Sequence, residues 1–412
     1  MNSHLPKIPV PKPMLGIEPE SWAYRAITIR FAIYIQQILK ENHFSDEIVN
    51  KLLALEAEIP EAPIRFLHDP GAPDEADWNR FIEPYAGMNW LQPPWFFSEH
   101  YFYRRIMEAI GYFQKGEGKN SDPFAQSKQR GLEFGISSIE EMATQLYGWM
   151  GGGFPQRDIL LSLIHQDLWG NQADYSLWPA DAGSGGGGKP DHAEPSQAND
   201  FLLVDDSFHV ADHLLKLDVN NSRIDFLIDN AGMELASDLV LVDFLLSSGV
   251  TAQVRFHLKT HPTFVSDALP KDVLETISFF HSSDASSVIS LGERLETLLC
   301  DNRLLLRSDF FWNSPLAGWE MSTEVSEQLS ESNLVISKGD ANYRRLLGDR
   351  HWPFTTPFAD IVSYFPAPLV ALRTLKSELA SGLTPGKAEI LFSEDPDWLV
   401  NGRWGIIQFF SP

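Results

Sequence analysis

The chain has 412 residues, 43% of them hydrophobic and 12% aromatic, which is enough to bury a large core and excludes a disordered chain. Its formal net charge of -24 and pI of about 4.8 argue against nucleic acid as a partner, because no Lys/Arg-rich run offsets that charge. No apolar stretch reaches the ~18 residues of a membrane span, and Met1 to Gly16 does not read as a signal peptide, so the expectation is a cytoplasmic protein acting on small molecules.

The first 150 residues read as helical. Ala23 to Leu39 carries a dense set of isoleucines. Trp95 to Phe113 places Phe97, Tyr101, Ile106, Ile110 and Tyr112 at helical spacing. Ile139 to Met150 is amphipathic through Ile139, Met142 and Leu146, and Gly151-Gly-Gly153 closes it. An N-terminal helical domain is expected over 1-177. Residues 178-199 form a Gly-rich and polar break. Gly183 to Gly188 within it fits no phosphate-loop pattern and reads as a surface loop.

From Asp200 the rhythm changes. Phe201 to Val204 reads as a strand, and Ser207 as the cap of a helix to Leu217. Ile224 to Ile228 is a strand and Met233 to Leu246 a helix. Ala252 to Leu258 is a strand, with helices at Lys271 to His281 and Ser287 to Leu299. Leu304 to Leu306 and Leu334 to Ile336 are further strands, and Trp404 to Phe409 is expected at a sheet edge. This alternation predicts an α/β fold over 200-412: an α/β/α sandwich with a largely parallel sheet. Cys300, the single cysteine, ends an apolar helical run and reads as a buried, inert thiol.

Polar clusters follow four apolar runs, and in an open α/β sheet groups at the carboxyl ends of strands meet in one crevice. Asp229-Asn230 follows Ile228. The pair either caps the next helix or offers a carboxylate and a carboxamide as hard ligands for Mg²⁺ or Mn²⁺. Gly232 permits the tight turn that follows, and Glu234 falls in the first helical turn. Asp267 leaves the neighbouring strand and can reach the same point. His257 and His261 read as structural histidines. Lys338-Gly-Asp-Ala-Asn-Tyr-Arg344 joins a glycine turn to a helix start, a phosphate-binding arrangement with Asn342 and Arg344 as added donors. Asp340 could orient a sugar hydroxyl or act as an acid or base. Arg373 and Lys376, three apart, are expected on one face of a half-buried helix.

These residues resemble the motifs of the metal-dependent damage-control phosphatases. The run Asp229-Asn-Ala-Gly-Met-Glu234, the run Phe264-Val-Ser-Asp267 and the run from Lys338 to Arg344 carry the likeness. Arg373-Thr-Leu-Lys376 is similar to the Arg-Thr-x-Lys signature of their sugar-phosphate subgroup. Trp95 to Arg105 and Leu168-Trp-Gly-Asn-Gln-Ala-Asp174 match as well. The resemblance implies hydrolysis of phosphate esters such as fructose 1-phosphate or fructose 6-phosphate by metal-activated water. It implies a divalent metal (Mn²⁺, Ni²⁺, Co²⁺ or Mg²⁺) on Asp229, Asn230 and Asp267. The substrate site would be lined by Glu234, Asp340, Asn342, Tyr343, Arg344, Arg373 and Lys376. An alternative in the same subgroup is a protein-glutamate carboxyl methyltransferase using S-adenosylmethionine. Asp205-Asp-Ser, where a methyl-donor site needs glycines after its first strand, favours hydrolysis.

Overall fold

A computed structural model describes residues 5–170 and 199–412. The Gly183 to Gly188 stretch, and Asn171 to Asp174 of the run from Leu168, lie outside them. Seven strands form one sheet: β1 (Leu202–Asp205), β2 (Arg223–Leu227), β3 (Gln253–Leu258), β4 (Leu304–Ser308), β5 (Leu334–Lys338), β6 (Leu369–Thr374) and β7 (Gly405–Phe410). Their spatial order is β1-β7-β6-β5-β2-β3-β4. All neighbours are parallel except β6 and β7. The α/β class and the helical N-terminal region agree with the sequence.

The central strands β5 and β6 are buried at every position, as expected for strands covered on both faces. Two apolar cores result, one on each side of the sheet. One joins the early helices, including Phe31, Trp95 and Phe102, to Val335, Tyr343 and Leu369. The other joins Ile139, Leu146 and Leu163 to the Met233–Ser247 helix, Phe226 and Phe256.

Four expectations are corrected. Arg373 and Thr374 end strand β6, and Lys376 lies just beyond it, so Arg373 and Lys376 do not share a helical face. Leu369 to Leu372 is the apolar interior of that strand. The run is too short to show a period, and burial on both faces removes the alternation. β7 is interior, between β1 and β6, and β1 takes the edge. Ser207 is the first residue of its helix and donates its own N–H to the Asp205 carboxylate. Cys300 is exposed. The buried stripe of its helix runs through Val288, Leu291, Leu295 and Leu298, and Cys300 is turned off that stripe.

Candidate active site

The order of strands reverses between β2 and β5, and their carboxyl ends open the crevice where ligands bind in such sheets. Asp229 and Asn230 stand two and three residues past the end of β2. Gly232, at φ +78°, turns the chain into the Met233–Ser247 helix. That helix has no side-chain cap, so Asp229 and Asn230 are not spent on its N–H groups.

The loop after β3 is sewn to this turn by backbone hydrogen bonds. Ala231 N–H donates to the Ser266 carbonyl (2.7 Å), and Ala268 N–H donates to the Asp229 carbonyl (2.8 Å). Asn230 and Asp267 therefore face each other as an isolated antiparallel bridge. Phe264 and Val265, immediately before, both take positive φ (51° and 65°). Two successive left-handed non-glycine residues store strain, and such strain tends to sit at functional sites.

The side chains form a tight set. Asn230 Nδ2 donates to Asp229 Oδ2 (3.1 Å) and Glu234 Oε2 (2.8 Å), while Asn230 Oδ1 accepts from the Ser266 hydroxyl (2.7 Å). Glu234 thus fixes the carboxamide from behind. Asp229 Oδ1 is buried with no hydrogen-bond partner. Asp267 Oδ2 lies 3.2 Å from Lys259 Nζ but in poor hydrogen-bond geometry. Burial, then the charges of Asp267 and Glu234, push the Asp229 carboxyl well above the usual range. Burial also raises Asp267, against the pull of Lys259. Among the described residues no three His, Cys, Asp or Glu side chains make a metal-holding group. Here a carboxamide takes the place of a third acid. Two buried carboxylates and a fixed carboxamide oxygen are a hard donor set, and an orphaned oxygen such as Asp229 Oδ1 fits a divalent cation.

These groups floor a cavity of about 110 Å³ that is also lined by Trp22, Arg30, Tyr34, Glu99, Asp340 and Lys376. Gly339 begins the Gly339–Leu347 helix directly after β5, and that helix has no side-chain cap. Its N–H groups are a ready anion site. Asp340 is held by Arg373 Nε (2.8 Å), Lys376 N–H (3.1 Å) and the Ser377 hydroxyl (3.1 Å). Burial raises its pKa, but the neighbouring Arg373 and Arg344 outweigh that and leave it below the ordinary value.

Other expected site residues stand behind the cavity. The Asn342 amide donates to the carbonyls of Leu227, Ile228 and Lys338, bracing the ends of β2 and β5. Tyr343 bonds Ser381 and Gln408. Arg373 is fully buried, binds Asp340 and Leu379 O, and stacks on Tyr343. Lys338 is sunk between Asp167 and Asp238. Arg344 lines the cavity but is clamped by Asp349 and Glu99. His257 bonds Asp225 on the adjacent strand. Sequence reasoning missed Trp22, Arg30 and Tyr34. Glu99 and Tyr103, which also line the cavity, lay inside the Trp95 to Arg105 run without being singled out.

Comparison with known proteins gives the class, a metal-dependent phosphoric monoester hydrolase. The model of the damage-control phosphatase ARMT1-like domain matches residues 27–391, and the chain belongs to that family. The protein is similar to Damage-control phosphatase ARMT1 of Danio rerio, at 34% identity over 376 residues, 85% of this chain and 82% of that one. The Mus musculus protein of the same name is 35% identical over 359 residues (81% and 80%), and that of Homo sapiens 31% over 357 residues (81% and 80%). Among solved structures, a DUF89 family protein from Pyrococcus horikoshii aligns with a TM-score of 0.46 and 14% identity over 86% of this chain and 94% of that one. Among the described residues no helix is long and apolar enough to cross a membrane.

Proposed function

We propose that this chain hydrolyses phosphate monoesters of small sugars, with fructose 1-phosphate or fructose 6-phosphate as representative substrates, using a divalent cation held by Asp229, Asn230 and Asp267. The observation that carries the reading is the buried Asp229 Oδ1, which has no hydrogen-bond partner beside a second carboxylate and a fixed carboxamide. A bound divalent ion supplies Lewis-acid polarisation of a phosphoryl oxygen and lowers the pKa of a water molecule. The chain supplies the rest. The N–H groups opening the Gly339–Leu347 helix and the Lys376 ammonium balance the phosphoryl charge. Asp340 accepts the Lys376 N–H and so fixes the turn that carries that side chain. Water oxygen replaces the ester oxygen on phosphorus, and its proton leaves with the alcohol.

The Asp205 carboxylate, at the end of edge strand β1, is taken up by the Ser207 N–H and by His165. This supports hydrolysis over methyl transfer. The test is phosphate release from a panel of esters by chelated protein, repeated with Mg²⁺, Mn²⁺, Co²⁺ and Ni²⁺. Turnover restored by metal is the expected result, and full turnover in excess chelator removes the proposal.

A further inference from the structure

The outer wall of the cavity carries a cation that the hydrolytic groups do not employ. Arg30 lines the same cavity as Asp229, Asn230, Asp267 and Lys376. It stands at the end of a π-helical turn, Ala26–Arg30, closed by the Phe31 N–H donating to the Ala26 carbonyl. In an uninterrupted α-helix each four-residue step overshoots a full turn by about 40°, so positions 22, 26, 30 and 34 would wind off one face. A π turn holds more residues and removes part of that drift. Trp22, Ala26, Arg30 and Tyr34 all line the cavity.

The Arg30 guanidinium carbon lies 4.4 Å from the Trp22 ring centroid and 5.6 Å from that of Tyr34, and Nη2 donates to the Tyr34 hydroxyl. Aromatic faces orient a guanidinium without neutralising it. Among the described residues Arg30 makes no ion pair. Two acids that share the cavity, Glu99 and Asp340, are ion-paired with Arg344 and Arg373, and the Arg30 charge reaches Glu99 only at longer range. A guanidinium held flat and only partly buried presents the paired N–H groups that match two oxygens of one oxyanion.

We propose that Arg30 forms a second anion subsite, which takes a carboxylate or second phosphate at the end of the substrate remote from the ester being cleaved. Among the sugar phosphates accepted at this site, esters of sugar acids and sugar bisphosphates are then turned over more efficiently than the fructose monophosphates named above. This rests on the phosphatase reading above.

The experiment compares kcat/KM of the Mn²⁺-loaded full chain on two matched pairs: fructose 6-phosphate with fructose 1,6-bisphosphate, and glucose 6-phosphate with 6-phosphogluconate. Wild type, Arg30→Met and Arg30→Lys are measured. Wild type is expected to favour the doubly anionic member of at least one pair by ~10-fold or more, the scale of one charge-assisted contact. Arg30→Met should remove that preference through KM, and Arg30→Lys should restore part of it. The second pair separates a carboxylate from a second phosphate. Equal preference in wild type and Arg30→Met, or none in wild type, overturns the subsite. If wild type cleaves none of the four esters, nor fructose 1-phosphate and the rest of the panel above, with any divalent metal, the phosphatase reading fails instead. Calorimetric binding of 6-phosphogluconate and glucose 6-phosphate then tests Arg30 alone. Tighter binding of the acid that Arg30→Met abolishes supports the subsite, and equal binding by both proteins refutes it.

Discussion

The Asp229 carboxylate lies directly against Gly339: a Cβ built on Gly339 would overlap Asp229 Oδ2, Cγ and Cβ. The turn after β2 and the turn after β5 thus touch through the absence of one methyl group. Gly339 also needs φ +75°, which an L side chain rarely adopts. Gly339→Ala is expected to displace Asp229 and lower kcat/KM by ~100-fold or more, the scale of losing a central electrostatic group. Calorimetric Mn²⁺ titration of the variant should show the same loss. Unchanged metal affinity would contradict this packing role.

Asp229→Asn separates function from stability. It should lower metal-dependent hydrolysis by at least ~100-fold. In chelator, however, it removes a buried charge that burial, Asp267 and Glu234 all disfavour. A carboxyl raised in the folded state weakens folding above its unfolded pKa, so the variant should have the higher Tm at neutral pH without metal. The gain should shrink as the pH falls. A lower Tm in chelator at neutral pH would contradict the argument.

Lys376 and Arg344 are both cavity cations, yet their replacements should behave differently. Lys376→Ala should keep the fold and cost about 2–3 kcal/mol of transition-state binding, read from kcat/KM. Arg344 carries Glu99 and Asp349, and its removal strands two acids in the interior. Arg344→Ala should therefore lose stability by about 3 kcal/mol in urea unfolding. Equal stability of the two variants would be the wrong outcome.

Acid sensitivity is expected from Asp74. Burial raises its pKa, but the His261 ring, 3.7 Å away, and the Arg104 guanidinium that donates two hydrogen bonds to it outweigh burial and bring it down to about 2. A depressed carboxyl contributes stability that is complete above its unfolded pKa of about 4 and is lost as the pH falls toward 2. Asp74→Asn should be less stable than wild type at pH 6, and the difference should narrow by pH 3 in urea titrations. A difference that stays constant over that range would contradict the assignment.

The sheet was legible because strands and helices alternate from Asp200 onward. Strand β6, Leu369–Thr374, was not and read as a helix, because an apolar strand buried on both faces shows no alternation. Asp229, Asn230 and Asp267 could be grouped from their places after adjacent strands. The roles of Arg373, Asn342 and Tyr343 were hidden, since a buried Arg braced by Asp340 and one facing a ligand have the same letter in sequence. Arg30 left no signal at all. Its approach to the cavity depends on a π turn and on helices that fold against a sheet more than 170 residues away.

That last feature divides the labour along the chain. The floor comes from loops after β2, β3 and β5, while the facing wall begins at Trp22. On the proposed reading of this site, substitutions among the first forty residues would retune which ester enters while the cleaving groups stay fixed. Selectivity would then be free to drift faster than chemistry.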